Sequence, residues 1–284
     1  MSMLLRGAPA AAALNEKTAQ LVSGLREKGV VPTLAIVRLG VREDDLSYER
    51  AAVKRCAAVG IETRCVSLPE NVSGEALEET LRSLSADASV HGILLLRPLP
   101  AALDEAHILR AIAPEKDVVG AAGSSLAAVY AGTDEGFAPC TAQAVLELLD
   151  YYEIPIEGKR AVVLGRSLVV GRPAAMLLLH RGATVTLCHS KTENAAGLAR
   201  EADILIAAAG RRESVGAAYF RAGQTVIDVG IHYNEETQKL CGDVALAEAD
   251  GVVRAVTPVP GGVGALTTAV LAAHTAKAAA RRIK

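Results

Sequence analysis

Tryptophan is absent from this 284-residue chain, and with two phenylalanines and six tyrosines the aromatic share is only 3%. So few π-faces argue against a surface that stacks the successive bases of a single strand. Charge imbalance is lacking too: 30 basic residues stand against 32 acidic ones, a formal net charge of −2, which leaves no basic footprint for nucleic acid. The apolar run at residues 10–14 is too short to span a bilayer, and the opening Met-Ser-Met-Leu-Leu-Arg-Gly lacks the order of a secretion signal. Neither a membrane nor a nucleic acid is therefore expected as a partner. The five cysteines, Cys56, Cys65, Cys140, Cys188 and Cys241, lie far apart without C-x-x-C spacing, which argues against a zinc site or a disulfide framework. They read as free thiols in a reducing, cytoplasmic compartment, and no metal ligands are assigned.

What the chain does have is alternation. The pattern predicts helices over residues 10–28, 47–59, 71–86 and 105–113, with Ser73 as N-cap of the third and Glu75 near its start. Strands are expected at 33–38 and 62–68 and from His91 to a stop at Pro98 and Pro100, with a charged loop at 41–45. Residues 114–140 read as irregular, and a helix over 142–152 leads into a second block with strands at 161–164, 182–190, 204–208, 225–229 and 253–256. Alternating strands and helices imply parallel sheets covered by helices, and the length suffices for two cored domains.

The most informative stretch is residues 160–173. A short apolar strand runs into Gly165, Arg166 and Ser167, then Gly171 and Pro173, the proline being tolerable in the first turn of a helix expected over 174–181. Backbone N–H groups at such a helix start, aided by the macrodipole, form an anion site suited to a dinucleotide's pyrophosphate. The spacing departs from the common fingerprint: Ser167 takes the second glycine's place, and Gly171 falls one residue late. The following strand completes a βαβ unit and ends in His189, Ser190 and Lys191. A free ribose 2′-OH would want an acidic residue at that tip, whereas cations and hydroxyls suit a 2′-phosphate, so these residues favour NADP over NAD.

Several segments together resemble the methylenetetrahydrofolate dehydrogenase/cyclohydrolase family. They are Pro-Thr-Leu-Ala-Ile (32–36), Val59-Gly-Ile, His91-Gly-Ile-Leu-Leu with Pro98-Leu-Pro, Lys116-Asp-Val, Pro139-Cys-Thr and Gly165-Arg-Ser with Val170-Gly-Arg-Pro. Cys188-His-Ser-Lys-Thr, Ala202-Asp-Ile-Leu, Val226-Ile-Asp-Val-Gly-Ile and Thr257-Pro-Val-Pro-Gly-Gly-Val-Gly complete the set, in family order over nearly the whole length. The resemblance implies a two-domain α/β chain, usually a homodimer, with a cleft between a folate-binding domain and a Rossmann-like NADP-binding domain. Residues 1–138, completed by a C-terminal helix at about 265–284, form the folate domain, and residues 139–264 the NADP domain. Such enzymes of one-carbon metabolism oxidise 5,10-methylene-tetrahydrofolate by hydride transfer to NADP and then hydrolyse the methenyl cation to 10-formyl-tetrahydrofolate. The implied cofactor residues are Gly165, Arg166, Ser167, Ser190 and Ile231, all matching the family pattern. Tyr48 is the implied catalytic residue, and Tyr48, Pro98, Leu99, Pro100, Gly261 and Gly262 are the implied substrate-binding residues.

The folate half departs from the family. A Lys one helical turn after the Tyr is replaced by Ala52, and Lys54 is no substitute, because two helical steps rotate it by about 200°. Leu96 stands for a Gln, with Arg97 beside it, Val119 for the Asp that would bind the pterin edge, and Ala122-Gly123 and Ser125 for a following His-Pro and Asn. Two classes of function stay open: the family's NADP-linked dehydrogenase with the cyclohydrolase weakened or lost, or a nucleotide-binding paralogue with another substrate or a regulatory role. Among other candidates, Glu43-Asp-Asp reads as a solvated loop, His189 as either a cofactor contact or a strand cap, and His232 as lying behind the cofactor contacts. Gly261, Gly262 and Gly264 read as backbone positions allowing close approach to folate.

Overall fold

The computed structural model describes residues 1–235 and 238–283. In chain order it begins with β1 (Met3–Leu4), α1 (Gly7–Glu27), β2 (Thr33–Leu39), α2 (Glu43–Ala58), β3 (Glu62–Leu68), α3 (Gly74–Ala86), β4 (Gly92–Leu95), α4 (Glu105–Ile108), α5 (Gly123–Ala131) and α6 (Cys140–Tyr151). There follow β5 (Arg160–Leu164), α7 (Gly171–His180), β6 (Thr184–Cys188), α8 (Ala195–Glu201), β7 (Ile204–Ala207) and β8 (Thr225–Asp228). The last elements are β9 (His232–Asn234), β10 (Lys239–Cys241), α9 (Leu246–Ala249), β11 (Ala255–Val256) and α10 (Thr267–Arg281). Two compact units result, one from Ala12–Cys140 with the chain from Thr268 onward, the other from Met1–Ala11 with Thr141–Thr267. Lys284, the end of the C-terminal segment expected with the first unit, lies outside the described residues. Among the described residues no helix is long and apolar enough to cross a membrane.

The first unit is built on a three-stranded parallel sheet in the order β3-β2-β4. Its central strand is buried on both faces, as a parallel sheet covered by helices requires. Ala35, Val37 and Leu39 pack against Leu77, Leu81 and Leu84, which recur at helical spacing along α3. Ser73 caps that helix as expected, its hydroxyl accepting from the Ala76 N–H at 3.2 Å. At the other end the buried Lys116 donates to the Leu84 carbonyl at 3.0 Å and the Asp87 carbonyl at 2.6 Å, placing a cation where the helix dipole is negative. Burial and the nearby Arg282 hold that ammonium below the usual lysine range.

Three expectations for this unit need correction. The acidic run at 43–45 is not a solvated loop: it forms the first turn of α2, where carboxylates suit the dipole, and Asp45 is buried with Arg42 Nε at 3.5 Å. Residues 105–113 divide into the single turn α4 and a 3₁₀ turn at Leu109–Ala111. Residues 114–140 are not all irregular, since α5 forms there with little apolar periodicity to announce it. Its start is held by the buried Asp117, whose carboxylate accepts from the Ala121 and Ala122 N–H groups and from the Ser125 hydroxyl at 3.1, 2.8 and 2.7 Å. Gly132, at φ 71°, ends it.

The second unit carries a six-stranded parallel sheet in the order β1-β11-β8-β7-β5-β6. Counted from β5, the strands follow the doubly wound order 2-1-3-4-5, whose direction of winding reverses between β5 and β7. Residues 1–11 fall in this unit, where Met3 and Leu4 pair with Ala255 and Val256. Ser2 ties the same segment down: its hydroxyl donates to the Val253 carbonyl at 2.6 Å and accepts from the Gly251 N–H at 3.0 Å, and its own N–H donates to Asp250 at 2.8 Å. The β9–β10 antiparallel pair, with only three residues a strand, carries too short a pattern to have been anticipated.

At the carboxyl edge of the three-stranded sheet, Arg38 is 8% exposed. Its Nε meets Glu49 of α2 at 3.0 Å, Nη2 donates to Ser67 of β3 at 2.8 Å, and Nη1 donates to the Gly40 carbonyl. One guanidinium thus joins β2, β3 and α2, the helix that carries Tyr48. Replacing Arg38 by Leu leaves the Glu49 carboxylate half-buried without its partner and is expected to cost roughly 3–5 kcal/mol in urea denaturation. The double change R38L/E49L should recover most of that loss; equal destabilisation by the single and double changes would show the pair is not what matters.

Candidate functional site

The carboxyl ends of β5 and β7 meet at the point where the winding of the second unit's sheet reverses. Gly165, immediately after β5, has φ 120°, and a Cβ there would overlap the Ala208 carbonyl after β7. Gly171, at the start of α7, is equally enclosed, since a Cβ there would overlap the Gly165 carbonyl. The late glycine of the sequence pattern is therefore the one that lets α7 begin against the loop. Between them the Ser167 hydroxyl accepts from the Val170 and Gly171 N–H groups at 3.2 and 3.4 Å, doing for the helix start what a capping side chain does.

Outside these strand ends lies a cavity of about 710 Å³. Gly165, Arg166, Ser167, Ser190 and Ile231, the five residues expected around a dinucleotide, all line it. His189 lines it as well and also holds the turn after β6: its N–H donates to Thr192 Oγ1 at 2.9 Å and its ring Nδ1 accepts from the Lys191 N–H at 3.2 Å. His189 thus caps the strand end and also stands in the cavity wall. Lys191 is exposed and is not among the cavity's walls.

Sequence reasoning missed the acidic scaffold beside Ile231. Asp228, at the end of β8, accepts from the Gly230 and Asp243 N–H groups through Oδ1 at 2.9 and 3.0 Å, and from the Val244 N–H through Oδ2 at 2.9 Å. Burial pushes Asp228 up to about 6, against the downward pull of these three donors. Asp243 accepts in turn from the Gly210 and Arg211 N–H groups and meets His232 Nε2 at 2.7 Å, so His232 is held from behind and also lines the cavity. The available signal was Gly230 and Gly242, whose missing side chains leave room for the two carboxylates.

In the first unit Tyr48 is half-buried on α2, and Ala52, one turn later, is fully buried, whereas Lys54 is exposed as its rotation about the helix requires. Leu96 is buried, Arg97 is held by Glu105 at 2.8 Å, and Val119 is half-buried. Pro98 is exposed and its carbonyl accepts from Arg42 at 3.0 Å; Leu99 packs on the apolar cluster beside β2, and Pro100 is half-buried. In the second unit Gly261, at φ 99°, offers its carbonyl to the Gly7 N–H at 2.8 Å, and a Cβ on Gly262 would come within 2.5 Å of the Pro258 carbonyl. Gly264 has open space around it. Among the described residues no group of three or more His, Cys, Asp or Glu side chains could hold a metal ion.

A doubly wound parallel sheet with a glycine-bounded loop and helix start at its switch point defines an α/β nucleotide-binding protein of the dehydrogenase type. Residues 139–283 match the tetrahydrofolate dehydrogenase/cyclohydrolase NAD(P)-binding domain, and residues 5–118 match the catalytic domain of the same enzymes. The chain belongs to the tetrahydrofolate dehydrogenase/cyclohydrolase family. It is 48% identical over 279 residues to the bifunctional protein FolD of Carboxydothermus hydrogenoformans, covering 98% of this chain and 97% of that one. Its structure resembles the bifunctional FolD enzyme of Campylobacter jejuni with a TM-score of 0.96 at 38% identity, covering 99% of this chain and 100% of that one. The Trypanosoma brucei dehydrogenase-cyclohydrolase, solved with NADP cofactor and inhibitor, gives a TM-score of 0.92 at 35% identity, with 100% and 99% covered.

The enclosure of Gly165 sets a direct test. Gly165→Ala adds a methyl group where backbone already lies and is expected to cost about 3 kcal/mol or more and to abolish dinucleotide binding. Gly158→Ala, also at positive φ but facing open space, should cost only about 1–2 kcal/mol and leave binding intact. Urea midpoints and calorimetric dissociation constants for the two variants check this.

Proposed function

We propose that this chain oxidises 5,10-methylene-tetrahydrofolate with NADP and hydrolyses the resulting methenyl cation only weakly. It is an NADP-dependent enzyme of the methylenetetrahydrofolate dehydrogenase/cyclohydrolase type. The observation that carries this reading is the cavity in which all five dinucleotide residues converge, beside a loop that only glycines can frame. Backbone N–H groups of the loop at residues 166–169 hold the pyrophosphate, those of Val170 and Gly171 being taken by Ser167; Arg166 and Ser190 receive the 2′-phosphate, and Ile231 borders the nicotinamide half. Bound NADP supplies the hydride acceptor. Tyr48 is assigned to the one-carbon unit, and Pro98, Leu99 and Pro100 to the pterin's surroundings. Hydride transfer depends mainly on alignment of two carbon centres, so the dinucleotide half can sustain it.

Hydrolysis of the methenyl cation needs proton transfer, and here the residues at hand fall short. Ala52 is a buried methyl group with no proton to give or take. Lys54 lies on the solvent side of α2, and Arg97 is tied to Glu105, its guanidinium offering donors and no acceptor for a proton. The burial of the apolar Ala52 and Leu96 also favours a second reading, in which the same fold accepts another substrate or serves as an NADP-binding regulator. A homodimer in the cytoplasm is part of the proposal. Free thiols fit that compartment, with Cys56 and Cys140 buried and pushed up to about 12 by that burial.

Loss of methenyl-tetrahydrofolate absorbance is expected to run near background, on the order of 10²–10⁴ below a relative that carries the Lys, the usual worth of general acid–base help. A rate matching such a relative would mean that another group moves the proton. Calorimetry should show NADP bound at least about tenfold more tightly than NAD, and Arg166→Ala should erase most of that preference, one charge-assisted hydrogen bond being worth about ten- to hundredfold. A preference for NAD would overturn the 2′-phosphate assignment.

A further inference from the structure

The cavity has a direction set by the sheet. Ser190 follows β6 and Ile231 follows β8, and the order β6-β5-β7-β8 separates these strand ends by three strand spacings, about 14 Å. With the 2′-phosphate at Ser190, as proposed above, the β8 end faces the nicotinamide-bearing half. At that end one side chain holds two walls together. Asp243 is fully buried; its Oδ2 accepts from the Gly210 N–H at 2.9 Å, and its Oδ1 accepts from the Arg211 N–H at 3.0 Å and meets His232 Nε2 at 2.7 Å. The first two donors belong to the loop after β7 and the third follows β8, and Gly210, Arg211 and His232 all line the cavity.

The backbone around Asp243 is fixed independently of its carboxylate. Its N–H donates to Asp228, its carbonyl accepts from the Val215 N–H at 2.9 Å, and Val244 forms a parallel bridge with Val215. The side chain is thus not needed to hold its own segment. It reaches across to two others, and Gly230 lacks the Cβ that would overlap its carboxylate.

We propose that Asp243 is a positioning residue for the dinucleotide: its carboxylate sets the spacing between the loop after β7 and His232, and thereby tunes affinity for the half of NADP remote from the 2′-phosphate. The inference rests on the NADP reading and on Ser190 as the 2′-phosphate end. A purely structural role would weaken every ligand of the cavity, whereas a positioning role separates the two halves of the cofactor.

The test compares calorimetric dissociation constants for NADP⁺ and for adenosine 2′,5′-bisphosphate, which carries only the 2′-phosphate half. Asp243→Ala is expected to weaken NADP⁺ about ten- to hundredfold and the bisphosphate less than about threefold. Asp243→Asn keeps one carbonyl oxygen but cannot serve both loop N–H groups, so it should fall between, with faster hydrogen exchange at the Gly210 and Arg211 amides. Equal weakening of both ligands, or unchanged NADP⁺ binding in both variants, overturns the proposal. Ser190→Ala must weaken the bisphosphate. If it does not, the cavity's direction is reversed and the assignment of Asp243 to the nicotinamide half falls with it, whatever Asp243→Ala does to NADP⁺.

Discussion

Three backbone segments of the second unit compete for one small volume, the space where Gly165, Gly171 and the Ala208 carbonyl meet. No side chain fits at the two glycine positions, so the strand end, the loop and the helix start come together as bare backbone. That constraint decides what the site can be. Bare backbone presents N–H groups, and with those of Val170 and Gly171 taken by Ser167 it is the N–H groups of the loop at 166–169, beside the helix start, that suit a diphosphate. Arg166 and Ser190, which carry a cation and a hydroxyl, stand in the walls of the same cavity.

The two units treat their buried polar groups differently. In the second, the carboxylates of Asp228 and Asp243 are spent on backbone N–H groups and a histidine ring around a cavity that remains open. In the first, Arg38, Glu49, Asp117 and Lys116 are engaged with the protein itself, holding strands to helices and closing helix ends. The face of α2 that carries Tyr48 offers Ala52 one turn on. Polar investment in the first unit thus supports the framework, and in the second it shapes the place where a ligand goes.

The fold was legible wherever periodicity lasted. Strands such as β2, β3 and β5 and the amphipathic α3 announced themselves through runs and spacings several residues long, and the dinucleotide loop through its glycines. The elements that escaped are those whose cause lies elsewhere in the chain. The two-residue β1 exists because Ala255 and Val256 accept it at the sheet edge, and α5 starts where Asp117 takes the Ala121 and Ala122 N–H groups just before it and the Ser125 hydroxyl of its first turn. The site divides the same way. Gly165, Ser190 and Ile231 stood in a recognisable motif, while Asp243, about fifty residues beyond Ser190, signals nothing by its neighbours alone. Its part appears only when a loop and a hairpin are folded against it.

The pairing of β1 with β11 has a consequence for biosynthesis. Met3 and Leu4 leave the ribosome some 250 residues before their partners Ala255 and Val256, an interval of roughly tens of seconds at ordinary rates of synthesis. During that interval the Ser2 hydroxyl has no Val253 carbonyl to bond, and the outermost strand of the sheet waits as an unpaired segment. β1 is thus made long before the strand that seats it, so the second unit cannot close its sheet in the order in which its strands are synthesised.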